Sequence, residues 1–269
     1  MEWDPTQFFR EDENISPHPY ALIVLNQPIN ETALAVLRKH ARMTVCADGG
    51  ANRFYEWAKT DGKESVDLPT TIIGDLDSIR PSVRTHYKDL GVNIVQDDDQ
   101  YSTDFTKSLK YIRSESTGQD LSILILGGLG GRVDQAFSQI HHLYMMNQAQ
   151  SQLEGSGNLY LVSEESITFI LQPGENTIHV PRTNRPDMKQ DNEKETDYLL
   201  EENVGIIPLS GPARISTKGF EWDVEDWKTE IGGQISTSNH IRAETVKVSS
   251  GVPVLFTVEL ARRLKRVSR

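Results

Sequence analysis

The sequence predicts an α/β half followed by an all-β half: a Rossmann-like parallel sheet, then an antiparallel β-sandwich or barrel-like domain. Three observations carry this. From about residue 21 to residue 148, short apolar runs alternate with stretches of helical spacing, the pattern of a parallel sheet covered by helices. After Asn147 the alternation stops, and short β-branched runs separated by turn residues take over, as in antiparallel domains. Between the two, QAQSQLEGSG is polar and small-residue rich and marks the boundary. The organisation read from this is a polar lead-in over 1–20, an α/β domain over 21–150 and a β domain over 158–269, with a polar surface insert around 182–203.

The elements follow in order. ALIVLN (Ala21 to Asn26) is a buried strand. ETALAVLRKH is helical, with Ala33, Leu34 and Leu37 on one face. TVCADGG is a strand ending in two glycines, and ANRFYEWAK resumes the helical pattern. TTII is a strand, and Pro81 opens the next helix, PSVRTHYKDL, at a position proline favours. VNIV is a strand, TDFTKSLKYI puts Phe105, Leu109 and Ile112 on one helical face, and LSILILGG is the clearest buried strand. Val133, Ala136, Phe137, Ile140, Leu143 and Tyr144 form a helical stripe. The β half reads as NLYLVSEE, SITFILQ, NTIHV, VGIIPLS, RISTKGFEW, QISTSN, ETVKVSS and VPVLFTVEL.

Bulk properties narrow the function. The chain has 269 residues and a net charge of -11, which argues against a nucleic-acid partner. Its single cysteine, Cys46, excludes an internal disulfide and fits a reducing compartment. The first twenty residues carry acid and proline where a signal peptide needs base and a long apolar run, and no run reaches membrane-span length. The expectation is a cytoplasmic protein with no membrane partner.

In an open parallel sheet, ligands gather at the carboxyl ends of the strands. Four consecutive strand ends carry glycine, aspartate or both: Asp48-Gly49-Gly50-Ala51-Asn52, Gly74-Asp75-Leu76-Asp77-Ser78, Asp97-Asp98-Asp99-Gln100 before Ser102-Thr103-Asp104, and Gly127-Gly128-Leu129-Gly130-Gly131-Arg132-Val133-Asp134. Each loop alone is ordinary turn and cap chemistry. Together they crowd more carboxylates than turns need, and ionised carboxylates repel unless a cation sits among them. In extended chain, Asp75 and Asp77 point to the same side. Hard oxygen donors suit Mg²⁺, which completes its shell from water and substrate phosphates. Asp104, in the first turn of its helix, is the expected third ligand. The glycines of DGG and GGLGG let backbone N–H groups approach phosphates, and Arg132 offers a bidentate cation. With no P-loop and no Gly-x-Gly-x-x-Gly in the right setting, the residues alone predict a magnesium-dependent enzyme acting on a phosphate-bearing substrate.

CADGGANR, IIGDLDSI, DQYSTDFTKSL, GGLGGRVDQ, KGFEWDV and GGQISTSNHI come in one order across residues 46 to 242. Together they resemble the thiamin pyrophosphokinase family, with the polar insert near 182–203 similar to that of fungal members. Tyr101 stands where many relatives have an acid. The resemblance implies an α/β catalytic domain, a C-terminal β-sandwich, and a homodimer with active sites at the interface. It implies Mg²⁺-dependent transfer of pyrophosphate from ATP to the thiamin hydroxyl, giving thiamin pyrophosphate and AMP. It implies Asp75, Asp77 and Asp104 at the metal and phosphates, and Asp48, Gly49, Gly50, Asn52, Gln100, Thr103, Arg132 and Asp134 around the nucleotide. Trp222, Ser236, Ser238 and Asn239 are implied for thiamin. Without the motif, Trp222 reads as core, as Trp3, Trp57 and Trp227 do. His141 and His142 read as packing and solvent-facing groups, and Cys46 as a small buried hydrophobe.

Overall fold

A computed structural model of the chain describes residues 1–10, 16–150, 157–186 and 197–266, with the backbone alone at 147–150. The chain divides into two compact units: Ser16–Glu164 with Arg266–Arg269, and Met1–Ile15 with Glu165–Lys265. At the N-terminus lie strand β1 (Glu2–Trp3) and a 3-10 turn (Pro5–Phe9), whose first N–H groups donate to the Asp4 carboxylate.

The unit centred on Ser16–Glu164 alternates strand and helix. Its elements are β2 (Tyr20–Val24), α1 (Glu31–Leu37), β3 (Met43–Ala47), α2 (Gly50–Thr60), β4 (Thr71–Gly74), α3 (Pro81–Asp89), β5 (Asn93–Gln96), α4 (Asp104–Glu115), β6 (Ser122–Leu126), α5 (Val133–Gln150) and β7 (Leu159–Val162). Six strands pair in parallel in the order β7-β6-β2-β3-β4-β5. Strands β2 and β6 are buried at every residue, so they read as unbroken apolar runs rather than as alternations. The helices start where local chemistry dictates. Asn30 accepts from Ala33 N–H at α1, Thr103 accepts from Thr106 N–H at α4, and Pro81 opens α3.

The second unit holds β8 (Ser166–Leu171), β9 (Gly174–His179), β10 (Thr183–Asn184), β11 (Leu200–Ile207), β12 (Ala213–Lys218), β13 (Trp227–Thr229), β14 (Ser236–His240), β15 (Thr245–Ser250) and β16 (Val254–Leu260). One sheet runs β1-β9-β15-β12-β13. The other contains β10-β11-β16-β8, with β14 on β11. Trp3 stacks on Phe169 at 4.9 Å, and Phe169 lies 5.3 Å from Phe256, so aromatic side chains fill the space between the two sheets.

Three expectations change. Residues 1–10 are not a loose lead-in: β1 pairs in parallel with β9, and the buried Trp3 indole donates to Asn176 Oδ1 at 2.9 Å. LYLV, expected in the β half, is β7 and pairs in parallel with β6, so the chain passes between units at Glu165 rather than near residue 150. A short β-branched run carries no label for parallel or antiparallel partners, and this strand finds an apolar neighbour in β6. The ends of the insert are built in, with Thr183, Leu199 and Leu200 fully buried. Its middle, 187–196, and most of the expected boundary, 151–156, lie outside the described residues. No helix among the described residues is long and apolar enough to cross a membrane.

Candidate active site

The carboxyl ends of β2, β3 and β6, with Ser78 of the loop after β4, border one cleft of about 210 Å³. Three carboxylates converge at its β3–β4 side. Asp48, Asp75 and Asp104 each bring one oxygen within 4.8 Å of the others. Asp48 leaves β3 with φ of 41° and is only 2% exposed. Its two oxygens accept from the backbone N–H groups of Ser78 (2.9 Å) and Ile79 (3.1 Å), which ties the loop after β4 to the end of β3. Gly74 makes the convergence possible: a Cβ there would fall 2.7 Å from Asp48 Cβ and 3.0 Å from Asp104 Oδ1. Asp104 is the first residue of α4, where the helix dipole favours negative charge.

The electrostatics follow from the crowding. Burial holds the Asp48 carboxyl above the usual carboxylate range, and the Asp104 charge adds to it, against the pull of the Ser78 and Ile79 hydrogen bonds. Burial likewise raises Asp104, with Asp75 repelling it and Lys107 opposing the shift. Lys107 is itself buried. Its ammonium donates to Asp97 O at 2.7 Å and to Asp104 Oδ1 at 3.3 Å. One lysine against three clustered carboxylates leaves net negative charge facing the cleft. All-oxygen donors in that state fit a hard divalent cation such as Mg²⁺.

The third carboxylate of the cluster is Asp48, where the sequence pointed to Asp77. Leu76 adopts φ of 65° with its side chain buried, which breaks the extended run: the Asp77 N–H donates to Asp75 Oδ1 at 3.2 Å, and the Asp77 carboxylate lies outside the cluster. Asp77 is exposed and accepts from Ser78 Oγ at 2.7 Å. Asp48 carried a sequence signal, since it follows a strand and precedes two glycines, but only folding reveals which carboxylates meet.

The remaining expected residues divide. Gly49 and Thr103 line the cleft. Gly49 and Gly50 are glycines because of packing: a Cβ at Gly49 would lie 2.2 Å from Asn26 Nδ2, and one at Gly50 would lie 2.0 Å from Val24 O. Asn52 donates to Ser78 O at 2.9 Å and accepts from Arg80 N–H at 3.0 Å, so it clamps the loop after β4. Gln100 is exposed, beside Asp98 O. Arg132 and Asp134 form a two-point ion pair at 3.1 and 2.6 Å, both largely in solvent. Lys107, Asn26, Gln27, Gln135 and Gln139 have no role in the sequence reading, yet the structure places them at the cleft or on its carboxylates. Lys107 had a signal in its i, i+3 spacing from Asp104, and Gln135 in its place at the end of GGLGGRVDQ; Asn26, Gln27 and Gln139 had none. Cys46 is buried, which pushes its thiol up and leaves it inert.

A separate cleft of about 280 Å³ lies in the β unit, lined by Trp222, Trp227, Ile215, Ser236 and Asn239. Trp222 is 55% exposed, so it is not core. Asn239 is buried and pins it: Trp222 N–H donates to Asn239 Oδ1 at 3.2 Å, and Asn239 Nδ2 donates to Trp222 O at 3.0 Å. The His240 ring lies 5.1 Å from the indole. Ser236 begins β14 and lines the cleft. Ser238, at φ of 57°, is exposed and does not.

These features define a mixed α/β protein with a parallel-sheet unit ending in a carboxylate-centred cleft, and a β unit bearing an aromatic cleft. Comparison with known proteins makes the class specific. Residues 34–154 match the family described as "Thiamin pyrophosphokinase, catalytic domain", and residues 175–255 match "Thiamin pyrophosphokinase, vitamin B1 binding domain". Thiamine pyrophosphokinase 1 of Oryza sativa subsp. japonica is 33% identical over 95% of this chain and 96% of that protein. Thiamine pyrophosphokinase of Saccharomyces cerevisiae is 28% identical over 85% of this chain and 80% of that protein. The structure of thiamin pyrophosphokinase from Candida albicans superposes with a TM-score of 0.79 at 28% identity, covering 96% of this chain and 92% of that one. The chain belongs to the thiamin pyrophosphokinase family.

Proposed function

We propose that the protein transfers a pyrophosphoryl group from ATP to the hydroxyl of thiamin, giving thiamin pyrophosphate and AMP, with Mg²⁺ as cofactor. The observation that carries this reading is the convergence of Asp48, Asp75 and Asp104 at the edge of the parallel-sheet cleft in a chain of this family. Those three carboxylates would hold Mg²⁺, which when bound offsets charge on the phosphate oxygens. Lys107 fixes Asp104 against the end of β5. Asp48 orients the loop after β4 through its two backbone acceptor bonds. Asp77, exposed and outside the cluster, is assigned to accept the proton of the attacking alcohol. Arg132 exchanges its Asp134 partner for a phosphate, since its fork suits either.

In the β unit, Trp222 offers an exposed indole face to a cationic aromatic ring, and Asn239 holds that face in place. The two β layers of this unit are assigned as a sandwich, the parallel-sheet unit as Rossmann-like. A homodimer with active sites at its interface, and a cytoplasmic location suited to the lone buried thiol, complete the reading.

The test is product analysis of purified protein with ATP, Mg²⁺ and thiamin, separating AMP from ADP, with a thiamin-free control. Thiamin-dependent AMP together with thiamin pyrophosphate is expected. ADP as product, or nucleotide loss without thiamin, would replace the reading with a kinase or phosphohydrolase. Binding without any product would make the protein a sensor.

A further inference from the structure

Among the polar groups of the parallel-sheet cleft that the proposed chemistry does not use, one has a buried oxygen without a donor. Gln139 sits on α5, one turn beyond Gln135, and both line the cleft. Its stem is packed onto the backbone after β6: a Cβ added at Gly128 would lie 3.7 Å from Gln139 Cγ. Its Oε1 atom is buried and accepts a hydrogen bond from no group among the described residues. A buried carbonyl oxygen without a donor is destabilising, and native structures leave few of them. A bound molecule carrying an N–H at that point would satisfy it.

The cleft is chemically two-sided. Its β3–β4 side carries the carboxylates, and its β2–α5 side carries the amides of Asn26, Gln27, Gln135 and Gln139. Carboxylates with a cation suit phosphates. Neutral amides, which donate and accept, suit the polar edge of an uncharged ring. Leu25 and Phe105 add apolar surface to its lining.

We propose that Gln139 is a specificity-determining residue, accepting a hydrogen bond from the exocyclic amine of a heteroaromatic ring bound in this cleft. The proposal deepens the functional reading above and rests on it. Both proposed substrates carry the required chemistry, an amine beside a ring nitrogen: adenine in ATP and the aminopyrimidine of thiamin. With Gln139 Oε1 in its buried orientation, replacing that amine by an oxo group turns a donor into an acceptor and sets two oxygens against each other, which is how a polar pocket rejects a near-isostere.

The experiment is calorimetric titration of the full chain in Mg²⁺ with two ligand pairs, each ligand alone: ATP against inosine triphosphate, and thiamin against its 4-oxo analogue. Wild type is expected to prefer the amine-bearing ligand by about 10- to 100-fold on at least one arm, the range one unpaired buried polar group produces. The arm that responds to mutation identifies the ring. Gln139→Met, similar in length and unable to accept a hydrogen bond of this strength, should bring that preference to within about threefold. Gln139→Glu keeps an acceptor oxygen and should retain it. Wild type with no preference on either arm, or Gln139→Met with both preferences intact, overturns the assignment. AMP formation is measured on the same preparations. If wild type makes AMP and thiamin pyrophosphate while Gln139→Met keeps both preferences, only the Gln139 assignment fails. If no AMP forms yet Gln139→Met loses a preference, only the pyrophosphokinase reading fails.

Discussion

The two clefts are built in opposite ways. The parallel-sheet cleft places charged groups at strand ends, each delivered by a short local motif: Asp48 at φ of 41° after β3, Asp75 just after β4, Asp104 on the first turn of α4. Its charges are close and only partly offset, and burial and mutual repulsion hold Asp48 and Asp104 above the ordinary carboxylate range. The β-unit cleft exposes an indole, with the Asn239 amide bonded to the Trp222 backbone. One site stores electrostatic tension that a cation would relieve. The other is a pre-shaped surface that a flat ring would cover. Binding to the first should therefore stabilise the fold strongly, and damage to the second should act mainly on substrate affinity.

The largest effect that could break this contrast is at the carboxylates. Asp75→Asn and Asp77→Asn should each lower turnover by about 10²- to 10⁴-fold, for different reasons. Asp75→Asn removes a cluster member, and Asp77→Asn a group outside it. Steady-state AMP production measures both, and near-normal turnover in either removes that residue from its role.

Metal dependence separates the two variants. Mg²⁺ at a hundredfold excess over its dissociation constant should stabilise wild type by about 2.7 kcal/mol, read as a rise in melting temperature over the chelated protein. Asp77→Asn should keep that rise and Asp75→Asn should lose most of it. Loss of the rise in both would put Asp77 back among the metal ligands, and its retention in both would remove Asp75 from them.

In the β unit the effects are smaller. Asn239→Leu leaves the Trp222 N–H and carbonyl without their partner and should cost about 1–3 kcal/mol of stability. It should also raise the KM for thiamin while leaving that for ATP unchanged, in denaturant titration and initial-rate measurements respectively. Smallest of all, Trp222→Leu should weaken thiamin binding by about 2- to 30-fold, the equivalent of roughly 0.5–2 kcal/mol of cation–π attraction. Its melting temperature should not move, because the indole is more than half exposed. A large drop in stability would return Trp222 to the core reading.

What could be read from the residues was what local spacing encodes. Buried strands such as Ser122–Leu126 announce themselves as apolar runs, and α1, α3 and α4 begin at Asn30, Pro81 and Thr103 because caps and proline act within one turn. The strand-end loops could be placed on one edge because a parallel sheet puts them there. Partnerships between distant segments could not be read. Trp3 finds Phe169 and Asn176 across more than 160 positions, and LYLV chooses a parallel neighbour that its composition does not name. The place of Asp48 in the carboxylate cluster goes with the positive φ of Asp48 and of Leu76 and with a glycine that has no room for a Cβ. The sequence by itself determined which chemistry the chain carries, because residue type and spacing along one element are local quantities. Only the tertiary structure decided which carboxylates meet and which amide is left unpaired in the cleft, because those depend on backbone turns and packing between elements far apart in the chain.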